Sequence, residues 1–176
     1  MKSSVFFIFL LSILLCNSCK DPCKSVNCNN GDCVDGTCVC DFGWTGDNCE
    51  IERASLYKGF YEGPFNCGIG SDTMVLKVEN IENTLTGLKM HTVGLIFNTG
   101  IIPISFDDYV MTAEIDSTFS GFAIDTLPVV YNFNNQEINI KLTGEGKFNS
   151  ENEIDFTIKV ITEIFPEITC NGVLIK

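Results

Sequence analysis

The chain has 176 residues, 45% hydrophobic and 19% charged, with a formal net charge of −12 at pH 7 and an isoelectric point near 4.3. That balance argues against nucleic acid as a partner, which needs basic patches, and against electrostatic adsorption to anionic lipid. The acidic residues are spread along the chain, so they solvate a surface rather than form a tail. The length suits one ordinary domain plus a small module, and ten cysteines point to an oxidising compartment.

Met1-Lys2 gives the N-terminus a positive start, and Val5–Leu15 is an apolar run of 11 residues broken only by Ser12. Such a run is too short for a transmembrane helix, which needs about 20 residues, and fits a signal-peptide core. No later stretch is long enough to span a bilayer. The run ends Leu14-Leu15-Cys16-Asn17-Ser18-Cys19-Lys20-Asp21, which resembles a bacterial lipoprotein signal, especially those of Bacteroidetes. The resemblance implies a signal peptide over residues 1–18, with Cys19 as the mature N-terminus carrying palmitate-type acyl chains. Residues 19–22 become a lipid-anchored linker, and the protein an exported one held at the cell envelope, on the outer membrane. Cys16 departs from the Leu that the pattern prefers. Several acyl chains hold a protein firmly, because each buried CH₂ contributes about 0.8 kcal/mol. An ordinary cleaved secretory signal and an uncleaved anchor are the competing readings. No Asn-x-Ser/Thr sequon occurs, which leans toward a bacterial source.

Residues 23–49 hold six cysteines separated by gaps of 4, 4, 4, 1 and 8 residues. A segment this short cannot bury enough apolar surface to fold by itself, so covalent closure must replace a core. Six cysteines allow 15 connectivities, and spacing does not choose among them. The last gap reads C-x-x-G-W-x-G-x-x-C around Gly43, Trp44 and Gly46, and the segment resembles the epidermal-growth-factor-like (EGF-like) module. That resemblance implies the pairs Cys23–Cys33, Cys28–Cys38 and Cys40–Cys49. Zinc is disfavoured because paired C-x-x-C knuckles and histidine are missing from the segment. Calcium needs six to eight oxygen ligands, whereas Asp21 and Asp35 are isolated carboxylates, and no cofactor is expected.

Residues 50–55 read as a short linker and residues 56–176 as an all-β domain rich in Ile, Val, Phe, Thr and Tyr. The expected strands are Leu56–Glu62, Thr73–Asn80, Leu88–Phe97, Ile101–Phe106, Tyr109–Ile115 and Val129–Phe133. They continue with Ile138–Leu142, extended through Phe148, then Glu153–Ile161 and Ile168–Ile175. In Glu153–Ile161 the apolar residues Ile154, Phe156, Ile158 and Val160 alternate with polar ones, the mark of a strand with one buried face. Ile81–Gly87 is the place for a short helical turn, and Pro103, Pro128 and Pro166 belong at edges, bulges or strand starts. About eight short strands with turn residues between them indicate an antiparallel β-barrel or β-sandwich. With Cys16 in the leader, Cys19 lipidated and six cysteines in the module, Cys67 and Cys170 remain and can pair. That pair makes the domain's two ends neighbours, as closing a sheet requires. The opening Tyr57–Gly63 and closing Cys170–Val173 resemble small lipocalin-like β-domains of Bacteroidetes lipoproteins, which favours the barrel.

Little here points to catalysis. His91 is the only histidine and reads as a strand-surface residue; a triad needs His with a nucleophile and an orienting acid, and no G-x-S-x-G elbow occurs. Ser71, Ser120 and Asp107-Asp108 read as turn residues, and Phe60, Tyr61 and Phe65 as packing or as the mouth of a pocket. The expectation is a non-enzymatic surface lipoprotein, anchored to a membrane and making protein or glycan contacts, with the EGF-like module as spacer or contact surface. The alternative is a lipocalin-like carrier holding a small apolar ligand inside the barrel. The oligomeric state is not legible.

Overall fold

The computed structural model describes residues 21–68, 70–93, 95–98, 103–106, 109–133, 135–164 and 166–176, of which 95–98, 103–106 and 133 are described by backbone alone. The chain divides into two compact units, Met1–Ile51 and Glu52–Lys176.

In the first unit β1 (Gly31–Val34) and β2 (Thr37–Cys40) form an antiparallel hairpin. Its loop is Asp35-Gly36, both at positive φ, 51° and 86°, as a two-residue hairpin turn of matching twist demands. Two further short strands, β3 (Trp44–Thr45) and β4 (Ile51–Glu52), make a second two-stranded sheet.

The second unit begins with a 3₁₀ turn over Arg53–Tyr57. The strands β5 (Gly59–Cys67), β6 (Gly70–Asn80) and β7 (Gly87–Val93) follow. A small hairpin of β8 (Leu95–Asn98) and β9 (Pro103–Phe106) comes next. The chain then runs through β10 (Val110–Ile115), β11 (Gly121–Phe133), β12 (Gln136–Ser150), β13 (Glu153–Thr162) and β14 (Ile168–Ile175). Eight strands close into an antiparallel barrel in the order β5-β6-β7-β10-β11-β12-β13-β14, with β14 returning to β5. The expected all-β barrel is therefore the fold.

Several boundaries differ from expectation for physical reasons. β5 starts at Gly59 rather than Leu56, because Arg53–Tyr57 winds into the 3₁₀ turn and buries Ala54 and Tyr57. Ile81–Gly87 contains no helix but a tight turn. Asn83 lies at φ 63°, and Thr84 Oγ1 donates to the Ile81 carbonyl at 2.8 Å while accepting from Gly87 N–H at 3.2 Å. β11 begins eight residues before the expected Val129, at Gly121. A register shift between Ile124 and Leu127 changes which parity faces inward, and so hides the strand from a period-2 reading. Pro128 sits beside that irregularity and Pro103 opens β9. Residues 101, 102, 107 and 108 lie outside the described residues.

Among the described residues, large apolar side chains pack the barrel interior. Leu76, Leu88, Met90, Ile154 and Leu174 are fully covered, as are the larger Tyr61, Phe65, Phe156 and Met74. Room for the rings comes from glycines at inward positions. Phe122 pairs across strands with Gly146, and Ile124 with Gly144; a Cβ on Gly146 would collide with the Phe122 ring. Gly172 on β14 likewise leaves space for Phe65. The rings form a continuous file. Tyr57 stacks on Phe148 at 3.7 Å between centroids, Phe148 meets Phe122 at 5.1 Å, Phe122 meets Phe156 at 6.1 Å, and Phe156 meets Phe65 at 6.0 Å.

Buried hydroxyls must find acceptors, and here backbone carbonyls supply them. Tyr57 OH donates to the Phe119 carbonyl at 3.0 Å. Tyr61 OH lies 3.0 Å from the carbonyls of both Tyr57 and Glu151. Burial pushes the Tyr61 hydroxyl up to about 12, so it remains a donor. The first turn of the domain is thereby tied to the loops that follow β10 and β12.

Phe122→Ala should lower the unfolding free energy by about 3–5 kcal/mol in urea titrations, the usual cost of emptying an aromatic core site. Gly146→Ala should cost about 1–3 kcal/mol by overpacking. An unchanged midpoint for Gly146→Ala would contradict the ring-over-glycine packing.

Candidate functional site

The sulfurs define the frame on which any surface site is carried. Disulfides join Cys23 to Cys33, Cys28 to Cys38 and Cys40 to Cys49, with Cα atoms 5.8, 5.5 and 5.2 Å apart. The first two spans interleave, so the short unit is crossed covalently. Cys67 and Cys170 are register partners on β5 and β14. Their Cα atoms are 4.1 Å apart and their disulfide spans 103 residues, so it staples the seam where the sheet closes. Cys16 and Cys19 lie outside the described residues.

Because Cys33, Cys38 and Cys40 turn toward their partners, the alternate residues of the small hairpin turn outward. Asp32, Val34, Thr37 and Val39 all lie on the exposed face, with Val34 53% and Val39 57% exposed. Phe42, just beyond β2, is 56% exposed. Asp21 serves a turn, its Oδ1 accepting from Cys23 N–H at 2.9 Å. Among the described residues no group of three or more His, Cys, Asp or Glu is placed to hold a metal ion.

Apolar residues are exposed on the barrel wall as well. Val93 on β7, Val110 on β10 and Val130 on β11 point outward and are exposed, and these three strands are neighbours in the sheet. Of the aromatic trio near the start of the domain, Tyr61 and Phe65 are core while Phe60 is 61% exposed.

His91 stands on β7 with its Nε2 3.4 Å from a Glu79 oxygen, and Lys77 Nζ is 2.8 Å from the other oxygen. The Lys77 hydrogen bond is the main cause holding the Glu79 carboxyl below its ordinary value. This is a cross-strand charge cluster on the outer wall, and its components are surface pairs of small energetic weight. Ser120 belongs to a loop built on Asp116. That carboxylate accepts from the Thr118 hydroxyl at 2.6 Å and the Thr118 and Ser120 N–H groups at 2.8 and 3.1 Å. The Ser120 hydroxyl adds a contact at 3.1 Å. These bonds, the Thr118 hydroxyl foremost, hold the Asp116 carboxyl down at about 2. The D-x-T-x-S spacing of Asp116, Thr118 and Ser120 is the local signal of this turn in the sequence.

Described residues line shallow hollows on the surface. One of about 560 Å³ crosses β10–β13 over Gly121 and Ala123. One of about 390 Å³ lies beside Phe60, Lys77 and Asn80, and one of about 340 Å³ adjoins it at Lys58, Asn80 and Glu82.

No family model matches the chain. Over 34 residues, 19% of this chain, it is 47% identical to the human neurogenic locus notch homolog protein 4, and the match spans 2% of that protein's length. This similarity and the disulfide-rich first unit support an EGF-like module. Among solved structures, a redesigned β-barrel has a TM-score of 0.41 at 14% identity, with 72% of this chain and 96% of that chain covered. A candidate outer membrane protein from Bacteroides fragilis has a TM-score of 0.43 at 17% identity, with 70% of this chain and 52% of that chain covered.

Two measurements test this frame. Replacing both Cys67 and Cys170 by Ala should lower stability by up to about 4.7 kcal/mol, the chain-entropy value for a loop of this length, read as a fall in Tm. Asp116→Ala should show a characteristic pH dependence. The folded carboxyl titrates near 2 against an ordinary 3.8, so its contribution is complete above the ordinary value and fades as pH falls through the folded one. The stability gap between wild type and variant should therefore be constant near neutrality and close on acidification. A gap independent of pH would refute the role given to the charge.

Proposed function

We propose that this protein is a lipid-anchored, non-enzymatic surface protein of the cell envelope, tethered through Cys19, whose two units make protein or glycan contacts. The observation that carries the contact reading is the pairing of stapled or filled interiors with exposed apolar outer faces. Val34, Val39 and Phe42 are held outward on a disulfide frame, and Val93, Val110 and Val130 line adjoining barrel strands. Exposed apolar groups on a rigid frame bind with little ordering cost. Carriage inside the barrel draws less support, because a ring file occupies the described interior from Tyr57 to Phe65.

A non-catalytic role fits the placement of reactive groups. The chain's histidine lies against Glu79 on the outer wall. The described cysteines are joined in four disulfides, and the serine with the richest polar contacts, Ser120, serves a loop. The tether rests on the leader sequence and on the sulfur tally, which leaves Cys19 for lipid.

Mass spectrometry of the protein purified from its native membrane should find acyl chains on an N-terminal Cys19. Cys19→Ser should move the protein from the membrane to the soluble fraction without changing its Tm. An unmodified N-terminus elsewhere would end the lipoprotein reading. In intact cells, Val34→Asp with Val39→Asp should abolish proximity cross-links made by the wild type, and unaltered cross-links would remove the module's contact role.

A further inference from the structure

The barrel strands close on one another, so the wall offers no free row of backbone groups. The small hairpin of the first unit does. Among the described residues β1 pairs with β2 alone. The two-residue turn makes Val34 and Thr37 a hydrogen-bonded pair, and bonded pairs then recur at every second position. Asp41 N–H donates to the Asn30 carbonyl at 2.9 Å, which keeps that parity. Asp32 and Val39 therefore exchange backbone bonds, whereas Gly31 and Cys33 turn their N–H and C=O groups away from β2. Among the described residues no backbone carbonyl meets those two outward N–H groups.

Two features mark this edge as open to a further strand. Asn29, just before β1, points its N–H the same way and donates to the Asn48 carbonyl at 2.9 Å. Another segment thus already bonds to the edge at its start. In addition, β1 and β2 contain neither Lys nor Pro, the residues that commonly blunt an edge.

Charge selects the occupant. Residues 21–51 carry Asp21, Asp32, Asp35, Asp41, Asp47 and Glu50 against Lys24 alone. A second copy of the hairpin would bring the same carboxylates to the contact and be repelled. On the exposed face Asp32 lies opposite Val39 and two residues from Val34. An incoming strand with a cationic side chain by Asp32 and an aliphatic one by Val34 satisfies both. We infer that the β1 edge captures an extended basic segment of another protein as a third strand, with Gly31 and Cys33 supplying the backbone bonds. This rests on the contact reading of the module and gives its partner a conformation and a charge.

The probe is the synthetic peptide acetyl-Thr-Lys-Thr-Val-Thr-Lys-Thr-amide, titrated at low salt into the intact, oxidised ¹⁵N-labelled protein. Binding should shift the resonances of Gly31–Val34. It should slow amide hydrogen exchange at Gly31 and Cys33 more than at Asp32 and Val34, which already bond to β2. Asp32→Lys should weaken binding roughly tenfold, since attraction becomes repulsion. Asp32 is exposed, so that variant should keep the wild-type Tm. Replacing both peptide lysines by glutamate should abolish binding, and so should methylating every peptide nitrogen, which leaves the charge unchanged. Equal binding of the glutamate or the methylated peptide overturns the inference. So do shifts confined to the barrel, no binding at all, or dimerisation through this edge in sedimentation equilibrium. Peptide failure with cell cross-links still lost in the Val34→Asp, Val39→Asp variant strikes only the edge. Peptide binding with cross-links unaltered in that variant strikes the module's contact role in cells.

Discussion

The barrel depends on large rings lying over residues that have no side chain. Phe122 over Gly146 is the central contact, and from it the file runs to Phe148 and Tyr57 on one side and to Phe156 and Phe65 on the other. A small closed barrel has a fixed interior width, so its layers must alternate bulk with space. Glycines at inward positions supply that space and let the strands bend. The same file fixes the 3₁₀ turn Arg53–Tyr57, because Tyr57 is its outermost ring and also donates to Phe119. Packing therefore reaches from the middle of the sheet to the segment where the domain begins.

Closure of the sheet is reinforced by chemistry of another kind. β5 and β14 are first and last in the barrel and pair only because the ends of the domain come together. Long-range pairing of that sort carries a large loop-closure cost. The Cys67–Cys170 disulfide bridges that seam, joining residues 103 apart in sequence and so restraining the unfolded chain over most of the domain. In the smaller unit the balance is reversed. There the three disulfides stand in for a core, which frees apolar residues such as Val34 and Val39 to face solvent. Both units thus reach rigidity by different routes and present outward faces that their interiors do not need.

That separation of interior from surface frames the functional reading. Chemistry-bearing groups fall into loop scaffolding, as with Asp116 and Ser120, or into surface charge clusters, as with His91, Glu79 and Lys77. What is left over among the described residues is exposed apolar and aromatic surface, the kind of surface on which the proposed contact role rests.

The sequence by itself determined the fold class and the presence of a cystine-stapled module. Period-2 alternation in Glu153–Ile161 and the cysteine spacing of residues 23–49 are local records of burial and of turn geometry. It did not reveal the first half of β11, because a shift between Ile124 and Leu127 reverses parity within one strand. Nor did it separate Phe60 from Tyr61 and Phe65, since which of three nearby aromatics faces the core depends on where the strand begins. Only the tertiary structure decided that Phe122 meets Gly146, that Val93, Val110 and Val130 stand exposed on the outer wall, and that Asn80 finds no hydrogen-bond partner among the described residues. Each is a relation between strands, set by register across the closed sheet, and register is a property of pairs of segments that no single stretch of chain contains.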